Sequence, residues 1–222
     1  MRYDWDFSPV IRAWPSLLDG LAMTLWLSAA SIAGGLGVGL VLALMRLSGR
    51  RAVAWPAIAV IEFFRNTPPL VHLFWVFYGL PILIGVSLTP FLAGWIALSI
   101  QSGAFFAEVY RAGIVSVERG QWEAGRAIGM RLPALMRRII LPQALRRMVA
   151  PFTERAFELV KTTTLAATLA YGELLYRAML VVSQSFRPLE VYSAVAVIFF
   201  LVLFSASMIM RAVEHRLSRS DR

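Results

Sequence analysis

The chain has 222 residues, is 59% hydrophobic and only 16% charged, and carries a formal charge of +9. A soluble domain is near half apolar and a quarter charged and disorder needs low hydrophobicity, so this composition excludes both. Basic excess usually points to nucleic acid, but a chain this apolar has little wet surface for it; the 21 Arg and the single Lys161 need a positional explanation, and the absence of cysteine excludes disulfides and thiolate metal sites.

Residues 1–7 place Asp4 and Asp6 among aromatic residues, without the basic n-region or small-residue cleavage site of a signal peptide. Trp5, Phe7 and Trp14 are expected as interfacial anchors. A membrane helix needs about 20 mainly apolar residues to cross about 30 Å. Residues 21–45 carry no charge, which predicts a first span over about 16–47. Residues 66–107 are also uncharged but too long for one helix. Gly79, Pro81, Gly85 and Pro90 mark a turn, dividing the run into spans over about 55–83 and 90–112. Between 142 and 170 the chain is apolar but interrupted by charges such as Arg146, Glu154, Arg155, Glu158 and Lys161. It reads as an interfacial helix or as a fourth span over about 145–168. The charge-free run 191–210 gives a last span over about 190–215, with residues 171–190 as a loop before it.

The arginines choose between these counts. Arg46, Arg50 and Arg51 follow the first span; eight arginines from Arg111 to Arg147 follow the third; Arg211, Arg216, Arg219 and Arg222 follow the last. Together they are 15 of the 22 basic residues. Basic residues favour the cytoplasmic side, and only five spans put all three clusters there. The expectation is therefore a single all-α transmembrane domain, 1–222, with its N-terminus outside and its C-terminus in the cytoplasm. The basic tail would lie against anionic headgroups.

The basic loop over about 114–141 is patterned. Trp122, Ala124, Ala127 and Ile128 stand near helical spacing, predicting a short helix that ends at Gly129. A second basic helix follows, expected to end at Pro142. Glu123-Ala124-Gly125, then Gly129, Ile139 and Leu141-Pro142, resembles the EAA signature of ABC importer permeases, with Gly125 where the second Ala is usual. Phe63-Phe64-Arg65-Asn66-Thr67-Pro68-Pro69 resembles the F-R-x-T-P segment of the permeases for polar amino acids. Stretches 78–81, 104–114, 173–178 and 186–192 resemble that subfamily too. One departure lies at Lys161, which Thr162-Thr163-Thr164 follow where the family has an amide or acid first.

The resemblance implies the five-helix type I importer permease fold in a bacterial cytoplasmic (inner) membrane. It implies transport of polar amino acids, with an opine or other small zwitterion as the alternative substrate and an ATPase-independent channel as a more distant one. It further implies ABC ATPase subunits that bind ATP and Mg²⁺, a second permease chain and an extracytoplasmic substrate-binding protein. Glu123, Ala124, Gly125, Ala127 and Gly129 would then form the coupling helix that docks on the ATPase. Small residues at 124 and 125 would let the helix press into a partner groove, and Glu123 would sit near the positive helix start. The sequence has no Gly-rich phosphate loop of its own, and no motif of an intramembrane enzyme.

Charges inside a span are costly and are functional candidates by default. Glu62, Arg65, Asn66 and Thr67 precede Pro68-Pro69, where a kink frees backbone carbonyls. Glu62 and Arg65 are three apart and can pair. Glu154, Glu158 and Lys161 share one helical stripe. A zwitterion needs a cation for its carboxylate and an anion for its ammonium. Arg65 or Lys161 and Glu62 or Glu158 fit those roles; equally, these groups fit an ion-pair ladder between the second and fourth spans. Thr162 offers a hydroxyl to the ligand or back to its own helix. His72, Gln101, Ser102 and Glu108 read as helix–helix contacts, as do Gly34, Gly35, Gly37 and Gly39. No metal or resident cofactor is expected.

Overall fold

The computed structural model describes residues 3–218. It is built from helices in the order α1 (Ser8–Arg12), α2 (Trp14–Leu47), α3 (Arg51–Asn66), α4 (Pro69–Phe74), α5 (Leu80–Ile84), α6 (Pro90–Val115), α7 (Arg119–Ala127), α8 (Leu132–Leu135), α9 (Leu141–Thr162), α10 (Leu174–Ser185) and α11 (Pro188–Ser218). Among the described residues, three helices are long and apolar enough to cross a membrane alone: Trp14–Leu47, Pro90–Val115 and Pro188–Ala212. Two bent pairs add up to two more, 51–66 with 69–84 and 132–169 with 174–185.

Helix α6 is the centre of the bundle and α2 is its principal neighbour. The two lie close because small residues face each other. A Cβ on Gly39 would stand 2.8 Å from the carbonyl oxygen of Gly103 and 2.8 Å from Cβ of Phe106. Gly37, expected with the other small residues of this stripe, has nothing within 4 Å of such a Cβ and takes no part. Trp95 Nε1 donates to the carbonyl of Ala30 (3.0 Å), and an Arg46–Glu108 ion pair closes the other end of the contact. Glu108 also holds Arg111 at 3.0 Å, so it acts as the expected helix–helix contact.

The first bent pair carries the kink expected at Pro68-Pro69 within the span over 55–83, and makes it a full break. Thr67 is extended (φ −111°, ψ 140°) and the chain turns by 109° there. Pro68 restricts the residue before it to extended backbone. Neither Pro68 nor Pro69 has an N–H for the carbonyls of Phe64 and Arg65. Side chains cap the turn just before these: Asn66 Nδ2 donates to the carbonyl of Glu62 (2.7 Å) and Thr67 Oγ1 to that of Phe63 (2.7 Å). The buried ring of His72 then packs on Phe63 and Phe64, at centroid distances of 5.8 and 4.6 Å.

The second bent pair carries two corrections. The basic helix after Gly129 does not end at Pro142. It runs on from α8 through a π-helical turn, Met136–Ile140, into α9, and a 3₁₀ stretch, Thr163–Leu169, finishes it. The same device precedes Pro81, where Trp75–Gly79 is π-helical. In both places a widened turn is followed by Leu and then Pro, moving the carbonyl that a proline ring would strike in a regular helix. The second correction is α10, which occupies the expected loop 171–190. Glu173 caps it by accepting from the amide of Tyr176 (2.8 Å). Leu174, Ala178 and Val181 bury one face against Val10, Leu17, Val191 and Val195.

The N-terminal segment is tied to the start of α11. Tyr3 Oη donates to Glu190 (2.7 Å), the amide of Asp6 donates to Glu190 (3.1 Å), and Arg187 pairs with Glu190 at 3.3 Å. The hydrogen bond to Glu190 raises the Tyr3 phenol above its ordinary pKa, and the Ser8 amide on its carboxylate lowers Asp6. Trp5, Phe7 and Trp14 are exposed. Helix α11 has only 11% of its apolar stretch buried, so Phe200, Leu201, Phe204 and Ile209 present a bare apolar face. Arg211 is exposed; Arg219 and Arg222 lie outside the described residues, and the side chain of Arg216 is likewise not described.

Candidate functional site

The break after α3 opens onto a cleft of about 550 Å³, within the usual size of small-molecule sites, about 300–1,000 Å³. Arg65, Asn66 and Thr67 line one wall, and Glu158, Lys161 and Thr162 of α9 line another. Six of the seven candidate substrate residues thus meet from stretches about 90 positions apart. Glu62 stands behind Arg65, 3.6 Å from its Nη1. Glu154 is exposed and does not line the cleft. The third wall comes from α6: Gln101, Ser102 and Phe105. Gln101 and Ser102, expected only as packing, are both buried and still border the cleft.

The charges are not arranged as a ladder between α3 and α9. Each pair lies within its own helix, Glu62 with Arg65 and Arg155 with Glu158 at 2.6 Å. Three-residue spacing already satisfies these pairs, so no pair crosses among the described residues. The cations meet elsewhere. The guanidinium of Arg65 lies 5.8 Å from the ring centroid of Phe105, and that of Arg155 lies 4.8 Å from it. Lys161 has no carboxylate within ion-pair distance among the described residues, and its side chain borders the cleft. Thr162 Oγ1 donates to the carbonyl of Glu158 (2.8 Å), so its hydroxyl turns back along its own helix, keeping acceptor lone pairs for the cleft. The cleft therefore offers one unpaired ammonium, two guanidiniums and one carboxylate.

At the other end of α6, the loop 114–141 folds on itself. Trp122, Leu135, Ile140, Ala144 and Met148 form a small core beneath α7. Gly129 takes φ +74°, and the amides of Gly129 and Met130 close back on the carbonyls of Arg126 (2.9 Å) and Gly125 (3.0 Å). That paired closure is the Schellman end of a helix. Glu123, Ala124 and Ala127 are exposed, and Ile128 is 76% exposed. Two expectations change here. Gly125 faces inward: a Cβ there would stand 2.4 Å from Cδ1 of Leu135, so this position is bare to fit its own chain. Glu123 stands at the middle of α7 rather than in its first turn, where the helix dipole favours it little.

The model of the family of binding-protein-dependent transport system inner membrane components matches residues 35–219. The glutamine transport system permease protein GlnP of Escherichia coli K12 is 35% identical over 218 residues, covering 98% of this chain and 99% of that one. The octopine transport system permease protein OccM of Rhizobium meliloti is 38% identical over 207 residues, covering 90% and 84%. A solved structure of an amino acid ABC transporter with histidines matches with a TM-score of 0.91 and 32% identity, covering 96% of this chain and 100% of that one.

Proposed function

The chain belongs to the family of binding-protein-dependent transport system inner membrane components, and from that premise we propose that it is the permease subunit of an ATP-driven importer for polar amino acids in a bacterial inner membrane. The relatives are permeases of amino-acid transport systems, and the structure resembles such a transporter along nearly its whole length. The single observation that carries the substrate reading is the cleft, where Arg65–Thr67 and Glu158–Thr162 converge on one space. A zwitterion fits it with its carboxylate on Lys161 or Arg65 and its ammonium on Glu158. The similarity to an octopine permease favours an opine as the second reading.

Five spans, counting each bent pair as one, put the N-terminus outside and the C-terminus in the cytoplasm. This arrangement is supported by the arginine clusters, which then all fall on one side. The chain forms one transmembrane domain and carries no phosphate-binding loop in its sequence. Hydrolysis falls to ATPase subunits, which hold ATP and Mg²⁺. Helix α7 docks on them through exposed Glu123, Ala124, Ala127 and Ile128, while Gly125 and Gly129 fix its packing and its end. Closing of the ATPases draws two such helices together, one from this permease and one from an identical or homologous partner. The pair opens outward, takes ligand from an extracytoplasmic binding protein, and releases it inward on reopening. The ligand shifts this equilibrium only through contacts that differ between the two states.

Reversing the charge at the docking helix tests the coupling. In the reconstituted complex, Glu123→Arg is expected to leave membrane insertion intact and to cut amino-acid uptake by about tenfold or more, the loss of roughly one charge-assisted contact. Normal uptake by this variant would overturn the docking assignment.

A further inference from the structure

A second cavity of about 400 Å³ lies against the first and shares three of its lining residues, Arg65, Phe105 and Arg155. Two helices independently fix the order of the cavities. Along α6 and its C-cap Ser116 the first cavity touches positions 101–105 and the second 105–116. Along α9 the first touches 155–162 and the second 147–155. The loop 114–141 joins the far end of α6 to the start of this helical stretch. The two cavities are therefore stacked along one axis, and the second lies between the first and the docking loop. Positions 105 and 155 are the junction on both counts.

The junction is occupied by an aromatic ring with two cations against it. Arg65 from α3 and Arg155 from α9 both approach the ring of Phe105 from α6. Each cation is tethered to a carboxylate on its own helix. Three of the helices that line the first cavity, α3, α6 and α9, thus contribute one group each to the same point. At the far end of the second cavity Arg147 donates to the carbonyl of Ser116. Arg147, Arg155 and Lys161 lie along α9 at intervals of about 12 and 9 Å, from a rise of 1.5 Å per residue. A carboxylate leaving Lys161 would meet a cation at each step toward the loop.

We propose that Phe105, with Arg65 and Arg155 against its ring, is a barrier between a loading compartment and an exit compartment, and that the second cavity is the exit compartment. This rests on reading the first cleft as the substrate site. An aromatic barrier suits the position: it blocks a small polar solute, and two tethered guanidiniums hold the ring in place. Phe105 is thus a positioning and gating residue whose removal joins the compartments.

The absence of cysteine makes the barrier directly testable with single thiols. Ser116→Cys reports the exit compartment and Thr162→Cys the loading compartment. The full transporter complex in inside-out vesicles, its ATPases held closed by a non-hydrolysable ATP analogue so that the permease faces outward, is treated with a membrane-impermeant maleimide from the loop side. Ser116→Cys is expected to label at least about tenfold faster than Thr162→Cys. Adding Phe105→Ala should bring Thr162→Cys up to the Ser116→Cys rate, and Phe105→Tyr should not. An unchanged Ser116→Cys rate in the Phe105→Ala background shows that the fold persists. Equal labelling of the two thiols with Phe105 present, or slow Thr162→Cys labelling with Phe105→Ala, would overturn the barrier. Labelling needs no ligand, so it separates from the substrate reading, which fails instead if the unmodified complex takes up no amino acid with ATP.

Discussion

Replacing Glu158 by Gln separates a ligand contact from a structural ion pair, because the two roles differ in magnitude. Glu158 pairs with Arg155 at 2.6 Å, but the two side chains are 56% and 40% exposed. An exposed pair of this kind contributes about 0.2–1 kcal/mol. Gln keeps the shape and can still accept from Arg155, so the folding loss stays below about 1 kcal/mol, or about 2–4 °C in Tm for a chain of this size. A charge-assisted hydrogen bond from a ligand ammonium contributes about 1.5–3 kcal/mol. Its loss weakens binding by about 10–150-fold. The assay is equilibrium binding of labelled amino acids to the purified complex without its binding protein, beside a melting curve of the same sample. Glu154→Gln, one helical turn away, exposed and outside the cleft, is the control and should change neither. A Glu158→Gln complex that binds normally but melts several degrees lower would refute the pocket role and leave a structural pair.

The contact between α2 and α6 predicts that Gly39→Val is destabilising. Its Cβ would begin 2.8 Å from backbone and Phe106, and overpacking of this kind costs about 1–3 kcal/mol; thermal unfolding in detergent reads it, and an unchanged Tm would contradict the close approach. At Gly129 nothing lies within 4 Å of an added Cβ, so only the backbone acts. Gly129→Ala should therefore cost about 1–2 kcal/mol from its left-handed φ, and Gly129→Asn less. Equal stability of Gly129→Ala and the unmodified chain would remove the Schellman end from the account.

The sequence made some elements plain and hid others for physical reasons. The helices α2, α6 and α11 were legible because charge-free runs have no alternative in a membrane. The Pro68-Pro69 pair announced a break in the second span, but its 109° angle depends on how α4 packs beneath α6. Helix α10 is hidden in the sequence because Arg177 and Gln184 lower its hydropathy. Its signals were there, in Glu173 as a cap and apolar residues at 174, 178 and 181, but its partners on α1, α2 and α11 are remote in sequence. For the cleft, residues on α3 and α9 stood out as charges at membrane depth. Phe105, Gln101 and Ser102 did not, since an ordinary aromatic or small polar residue on a central helix gives no sign of which face it turns to a cavity. Gly125 is ambiguous in the same way: a small residue fits a partner's groove or its own chain's Leu135 equally well until the loop is folded.

The central claim is that this chain moves amino acids only when ATP is hydrolysed by other subunits that act through α7. Its most direct test is accumulation of labelled amino acids in liposomes holding the permease, its partner permease and its binding protein, with and without the ATPase subunits. The account predicts ATP-dependent accumulation in the complete complex and none when the ATPase is left out. Concentrative uptake by the permease chains alone would contradict it.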